Sequence, residues 1–238
     1  MFIVGADLGQ ARDYTALLIV ERKLEIHTNL PAASDGEYPS TSHYHVRKIE
    51  RPELGTTYPT IVNRICELLS SPKLAPDAIC ALDATGVGRP IVDMLAEKGA
   101  NVCPITITGG DRAHYNADDG MWRVPKKEIV STIQVLLQRG RLKWLANTPD
   151  PEQNRLSETL LKELMAFRMK ITAAANDTYE AWRERDHDDL VLGLGLALWL
   201  GERQRPVTSR AAFRKRDTML ERDLREARAT TARPWWDT

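Results

Sequence analysis

No apolar run in this chain approaches the roughly 18–20 residues needed to cross a bilayer. The longest, Leu190 to Leu200, is too short and has charged residues on both sides. The N-terminus enters an apolar stretch directly, with neither a positive region nor a small-residue cleavage site, so no signal peptide is expected. Cysteine is scarce: Cys66, Cys80 and Cys103 form no CxxC pair and stand among apolar neighbours. Free thiols in a reducing compartment follow, which points to the cytoplasm. Internal repeats are absent, and so is net charge, with 33 basic residues against 33 acidic ones. From Arg203 onward, however, ten Lys or Arg face five Asp or Glu, a balance of +5, so the body to Glu202 carries −5. A body of that sign binds a polyanion weakly unless metal ions or the basic tail assist.

What is present belongs to an ordinary globular protein: 238 residues, 42% hydrophobic and 28% charged. One domain over residues 1–204 is expected, followed by a basic tail over 205–238 that is either disordered or docks on a partner. Phe2 to Ala6 reads as a buried strand ending at Asp7, and Tyr14 to Glu21 returns as its hairpin partner. After a polar loop over 28–42, Tyr44 to Ile49 alternates as a third strand. Ile61, Val62, Ile65, Leu68 and Leu69 mark an amphipathic helix over 58–70. Pro76 to Leu82 is an apolar strand ending at Asp83, a helix covers 90–98, and Val102 to Ile107 is the next strand. This alternation implies parallel pairing with right-handed crossovers. A long polar loop covers 108–122, helices follow over 125–138 and 151–166, and a short strand lies between them at 141–145. Small paired strands are expected at 169–173 and 178–182, then a helix from Leu190 to Arg203.

Three acidic stations stand out. Asp7 ends the first strand, with Gly9 letting the backbone turn close to whatever Asp7 holds. Asp83 ends the fourth strand, ahead of Thr85-Gly86-Val87-Gly88. Asp186, Asp188 and Asp189, with His187, precede the apolar helix. Each has a plain alternative: a hairpin turn for Asp7, an Asx turn or cap for Asp83, helix capping for Asp188 or Asp189. Capping needs one acid, and three in four residues exceed it. Strand-end acids on neighbouring strands also share an edge. Together they suit two Mg²⁺ or Mn²⁺ ions about 4 Å apart, the arrangement of phosphodiester hydrolysis, with Asp7 the candidate to bridge them.

The string Gly5-Ala6-Asp7-Leu8-Gly9-Gln10-Ala11-Arg12-Asp13-Tyr14-Thr15-Ala16 resembles the first catalytic strand of the nuclease domain of phage large terminase subunits. Ala81 to Gly88 is similar to its second acidic motif. Val124-Pro125-Lys126-Lys127 with Gly140-Arg141-Leu142 is similar to its middle, and His187-Asp188-Asp189-Leu190-Val191 to its third motif. The ordered set covers about residues 2–202. The resemblance implies a ribonuclease H-like α/β fold, a five-stranded mixed sheet of three antiparallel and two parallel strands flanked by helices. It further implies a metal-dependent endonuclease that cuts concatemeric viral double-stranded DNA during packaging, in the cytoplasm of the infected bacterial host. Asp7, Asp83, Asp188 and Asp189 are then the metal ligands, with Asp189 favoured over Asp188 as the direct one. The ATPase motor of a complete large terminase, with its Walker A loop, is not found in this sequence. The motor, the small terminase subunit and the portal are the partners implied.

Supporting roles fall to His187, which can orient water or simply sit exposed at the helix entry, and to Asp13, beside the metals or fixing its turn. Lys126, Lys127 and Arg112 are candidate DNA contacts, as are His114 and Tyr115 from their place on the long loop. Lys126 and Lys127 oppose the dipole of the helix they begin, a cost that a phosphate can offset. Trp235-Trp236 is either a docking anchor or a free end. Three rivals remain: a RuvC-type Holliday-junction resolvase, an actin-like sugar kinase or ATPase, and a non-catalytic ribonuclease H-like module that binds DNA or serves assembly.

Overall fold

The side chains of the first hairpin alternate between two cores, and this alternation sets the architecture. β1 (Phe2–Asp7) and β2 (Ala16–Ile26) are antiparallel, with Gly5 opposite Leu18 and Asp7 opposite Ala16. Ile3, Leu18 and Val20 enter one core, while Val4, Ala6, Leu17 and Ile19 enter the other. A strand buried on both faces must be apolar throughout, as this hairpin is.

In the computed structural model the described residues are 1–9, 13–34, 36–86, 88–173 and 188–204, with only the backbone of 88 and 167–173. The remaining elements are β3 (Ser40–Glu50), α1 (Tyr58–Ser70), β4 (Ala78–Asp83), α2 (Gly88–Glu97), β5 (Val102–Thr108), β6 (His114–Asn116), β7 (Met121–Pro125), α3 (Lys126–Gln138), β8 (Leu142–Lys143), α4 (Pro151–Ala173) and α5 (Asp189–Arg203). The eight strands form one sheet in the order β6-β7-β5-β4-β1-β2-β3-β8. β1, β4, β5 and β7 run parallel, with Ala6 beside Leu82 and Thr108 beside Pro125. Ile61, Val62 and Ile65 of α1 and Ile91 and Leu95 of α2 fill the core on one face. Residues of α3, α4 and α5 fill the other. The mixed α/β class is as expected, and the five expected strands are the central β5-β4-β1-β2-β3. The sheet is wider by three. β6 and β7 arise within the stretch read as a polar loop, because His114 to Pro125 pairs as an antiparallel edge hairpin without an apolar alternation to announce it. β8 adds two residues beside β3. The strand expected at 169–173 is instead the end of α4, and its partner at 178–182 lies outside the described residues.

α5 is apolar all round, and a helix of that kind belongs inside. Leu190, Val191, Leu194, Leu196, Ala197 and Leu198 are fully buried. It lies against β1 and β4 and packs on α3 and α4. Backbone approaches backbone there: a Cβ on Gly5 would stand 1.9 Å from the carbonyl oxygen of Gly193. From that crossing, Asp189 is one helical turn away, about 6 Å of rise, and Asp7 is two strand residues away, about 6.6 Å. The contact therefore brings the start of α5 to the carboxyl edge of β1.

Met1–Lys23 with Ser42–Gln204 forms one compact unit, and a second includes Leu24–Thr41. Leu24–Thr41 holds the end of β2, a loop and the start of β3, tied by a 2.8 Å hydrogen bond between His27 Nε2 and Thr41 Oγ1. Cys66, Cys80 and Cys103 are free thiols, as the sequence suggests, and burial pushes the Cys103 pKa up to about 11. Among the described residues no helix is long and apolar enough to cross a membrane.

The close crossing yields a graded prediction. A methyl on Gly193 meets the mobile end of Leu18, Cδ1 at 2.7 Å, and gains helix propensity of about 1 kcal/mol. Gly193→Ala is expected to cost at most about 2 kcal/mol in stability. A methyl on Gly5 meets backbone that cannot move without shifting α5, so Gly5→Ala should cost about 3 kcal/mol or more and lower activity with it. Urea unfolding of the two variants checks the order, and equal stabilities would contradict it.

Candidate metal centre

Parallel pairing of β1 with β4 sets Asp7 and Asp83 side by side, each one residue past the Ala6–Leu82 pair, at the carboxyl edge of the sheet. The start of α5 brings Asp188 and Asp189 to the same edge. Lys126 follows β7 directly at that edge and reaches Asp188, its Nζ 3.3 Å from Oδ2. Asp83 and Asp189 are buried, and Asp7 and Asp188 are half-buried. The Asp7 carboxyl is pushed well above the usual carboxylate range, first by burial and then by the charges of Asp83, Asp189 and Asp188, with Lys126 opposing them. Three of the sequence-nominated acids, Asp83, Asp189 and Asp188, thus converge on the fourth, Asp7. The four come from three separate segments of the chain.

The plain readings of these acids fare unequally. Asp83 does make an Asx turn, its Oδ1 accepting the Thr85 backbone N–H at 2.7 Å. Gly9 is tight against its own hairpin, where a Cβ would stand 2.1 Å from the carbonyl oxygen of Asp13. Asp188 is the N-cap residue of α5, yet its side chain makes no capping hydrogen bond. The cap comes from elsewhere. Glu163 of α4 accepts the Leu190 N–H on Oε2 at 3.1 Å, so Asp188 is not spent on the helix end.

Glu163 and its partner Arg51 are residues that sequence reasoning missed. Arg51 follows β3, and its Nη2 lies 2.9 Å from Asp189 Oδ2 and 3.3 Å from Glu163 Oε1. The Tyr14 ring covers the guanidinium, 4.4 Å from its centroid. Burial, and then the charge of Asp189, push Glu163 up to about 7, against the pull of Arg51 and the N–H groups of Leu190 and Val191. A signal for Glu163 existed in the sequence: it falls on the α4 stripe of Leu156, Leu160 and Leu164, where a charge needs a buried partner. Arg51 gave none.

The other nominees are placed as follows. Asp13 is exposed and lines a cleft of about 520 Å³ together with Gly9, Thr15, Glu53 and Tyr58. Lys127 pairs with exposed Asp111 at 2.6 Å, Oδ1 to Nζ, on the loop that also carries exposed Arg112. Tyr115 is exposed and tilts against Trp122 at 5.6 Å. His187, Asp186 and Trp235-Trp236 lie outside the described residues.

The donor set is four carboxylates, the hard oxygen ligands that Mg²⁺ and Mn²⁺ take. As the side chains stand, no group of three or more potential ligands among the described residues is arranged to hold one ion. Two of the four acids are turned onto Arg51 and Lys126. Beyond burial, the charges of Asp83, Asp189 and Asp188 raise the Asp7 carboxyl while Lys126 opposes them. The residues fit a divalent cation in kind and in charge.

A scan of protein-family models and a search of curated proteins find no match to the chain. Solved structures do match. Crystal structures of the large terminase nuclease from thermophilic phage G20c with bound magnesium and with bound cobalt each share 22% identity with it. Both have a TM-score of 0.50 and cover 83% of this chain and 80% of theirs. The fold is that of a large terminase nuclease. The human cytomegalovirus terminase nuclease domain, Mn-soaked with inhibitor bound, also matches at 11% identity, with a TM-score of 0.46 over 84% of each chain. The expected α/β architecture, one mixed sheet flanked by helices, is met in the chain's own topology and in the matches at a TM-score of 0.50.

The charge pattern predicts an inverse pH dependence in EDTA. A carboxyl whose folded pKa is raised binds its proton more tightly when folded, so the stability it lends falls once pH exceeds the unfolded value. For Glu163, with an ordinary value of 4.5 and a folded value of about 7, the loss begins near pH 4.5 and is complete above pH 7. Between pH 5 and 8 the wild type should lose on the order of 2–3 kcal/mol relative to Glu163→Gln. Asp7→Asn should raise the melting temperature at pH 7 by roughly 2–4 °C per kcal/mol of repulsion removed. Thermal melts across pH check both, and parallel pH curves for wild type and Glu163→Gln would contradict the assignment.

Proposed function

We infer that this chain is a metal-dependent DNA endonuclease, the nuclease part of a viral genome-packaging terminase. The observation that carries the reading is the placing of Asp7 beside Asp83 at one sheet edge, where Asp188 and Asp189 also bear on Asp7, in a fold shared with large terminase nucleases. Asp7, Asp83 and Asp189 would hold the ions directly, with Asp188 as a further ligand or as the residue that Lys126 keeps beside them. Two Mg²⁺ or Mn²⁺ ions there would supply an activated water and neutralise the charge that builds on the leaving 3′ oxygen. The terminase nucleases similar to this chain carry bound magnesium and cobalt, which supports a divalent metal in kind.

The chain's own residues would present the DNA. β5 and β7 end at the acidic edge, and Arg112, Lys126 and Lys127, which follow these strands in the chain, would meet the DNA there. Backbone phosphates lying there would be positioned without a reading of base sequence. With a body charge of −5, affinity would depend on these few contacts, on the ions and on the basic stretch 205–238. That stretch is a further domain boundary in this reading, a docking segment for the packaging motor or the portal. Residues 1–204 would form the nuclease domain.

Incubation with supercoiled plasmid tests the reading. Wild type should nick and linearise the plasmid in Mn²⁺ or Mg²⁺ and not in EDTA. Asp7→Ala and Asp83→Ala should each lower the rate roughly hundredfold, equivalent to about 2.7 kcal/mol of barrier. Equal cleavage by wild type and both variants would sink the proposal. Selective cutting of a four-way junction would move it to a resolvase, and binding without cutting would move it to an assembly module.

A further inference from the structure

The group of buried Glu163 and Asp189 with half-buried Tyr14 and Arg51 is more elaborate than the fold requires. Glu163 caps α5 by accepting the Leu190 N–H, and the buried residues of α5 from Leu190 to Leu198 are apolar. Yet the Arg51 side chain is largely enclosed, at 14% exposure against 8% for Glu163 and 11% for Asp189. Burying an ion triad is costly, and apolar side chains of equal volume often serve stability as well. Its Nε and the Glu163 Oε1 also lack a hydrogen-bond partner among the described residues, although Oε1 keeps its ion pair. A costly, incompletely satisfied cation against one particular acid calls for a purpose other than stability.

The geometry points to one. Arg51 grips Asp189 at Oδ2, its Nη2 2.9 Å away. Glu163 and the Tyr14 ring hold the guanidinium from two other directions, which fixes where that grip lies. Asp189 also begins a helix whose backbone is pinned on β1 at Gly5, so both ends of its side chain are constrained. We propose that Arg51 is a positioning residue: held by Glu163 and Tyr14, it sets the orientation in which Asp189 meets a divalent cation beside Asp7. The inference rests on the metal-site reading above and extends it to residues that no acidic motif contains. Arg51 touches neither ion nor DNA in this scheme and acts only through Asp189.

Positioning and mere charge balance predict opposite outcomes. If Arg51 only offsets negative charge, Arg51→Met leaves a more anionic site that binds Mn²⁺ more tightly. If Arg51 orients Asp189, the same change weakens Mn²⁺ binding by about 10- to 100-fold, the usual effect of losing a residue that orients a metal ligand. The experiment is calorimetric titration of the full chain with Mn²⁺ at neutral pH, alongside melting curves in EDTA that establish folding. Arg51→Lys should recover part of the loss, because charge returns without the planar contact to Tyr14. Should Arg51→Met fail to fold, Tyr14→Leu leaves every charge in place and should weaken Mn²⁺ by at least threefold. Unchanged or tighter binding in a folded Arg51→Met, or in Tyr14→Leu if that variant is used, overturns the proposal. Asp7→Ala keeps the two readings apart. When wild type binds Mn²⁺ and Asp7→Ala does not, a failure concerns Arg51 alone; when wild type and Asp7→Ala behave alike, the metal site falls and Arg51 falls with it.

Discussion

Everything at the acidic edge depends on how closely α5 can lie on β1. Two glycines, Gly5 and Gly193, remove the side chains that would separate a helix from a strand and let their backbones touch. A side chain at Gly5 would lift α5 away and carry Asp188 and Asp189 with it, whereas one at Gly193 meets the end of Leu18. The approach also explains why the helix is apolar on all sides: it is wedged against β1 and β4 with α3 and α4 beside it. Hydrophobic burial of about 1.5–3 kcal/mol per large side chain is what holds the contact closed.

That packing forces a second, less comfortable contact, among carboxylates. Asp7 is half-buried amid three other acids, and its proton is retained far more firmly than in water. Lys126 and Arg51 relieve part of this, each from its own element, one after β7 and one after β3. Glu163 spares Asp188 from capping duty. An arrangement that spends stability to crowd like charges at a solvent-facing edge is typical of a site built for a cation or for chemistry.

How much of this can be read from sequence depends on how locally each feature is written. β1, β4, α1 and α5 announce themselves, because their apolar patterns are unbroken and each ends on an acid or a turn. Asp7, Asp83 and the Asp188–Asp189 pair are legible for the same reason, being punctuation at the ends of strong elements. β6 and β7 are not: a three-residue strand and a five-residue strand at a sheet edge carry too few apolar positions to show a period. Arg51, in Glu50-Arg51-Pro52, looks like any loop arginine until the fold carries it 138 residues along the chain to Asp189. Lys126, read from the sequence as a phosphate contact, also pairs with Asp188, a role that only the joining of β7 to α3 beside α5 can create. Long-range charge pairing has no local signature, whereas strand-end acids do.

The central claim is that these four carboxylates form one divalent-cation site, and the most direct measurement is anomalous scattering from a crystal soaked in Mn²⁺. The account predicts a manganese peak at the carboxyl edge of β1 and β4, within coordination distance of Asp7 and at least one of Asp83, Asp188 and Asp189, and its loss in Asp7→Asn. A crystal with no peak there, or with manganese only at other acids on the surface, would contradict it.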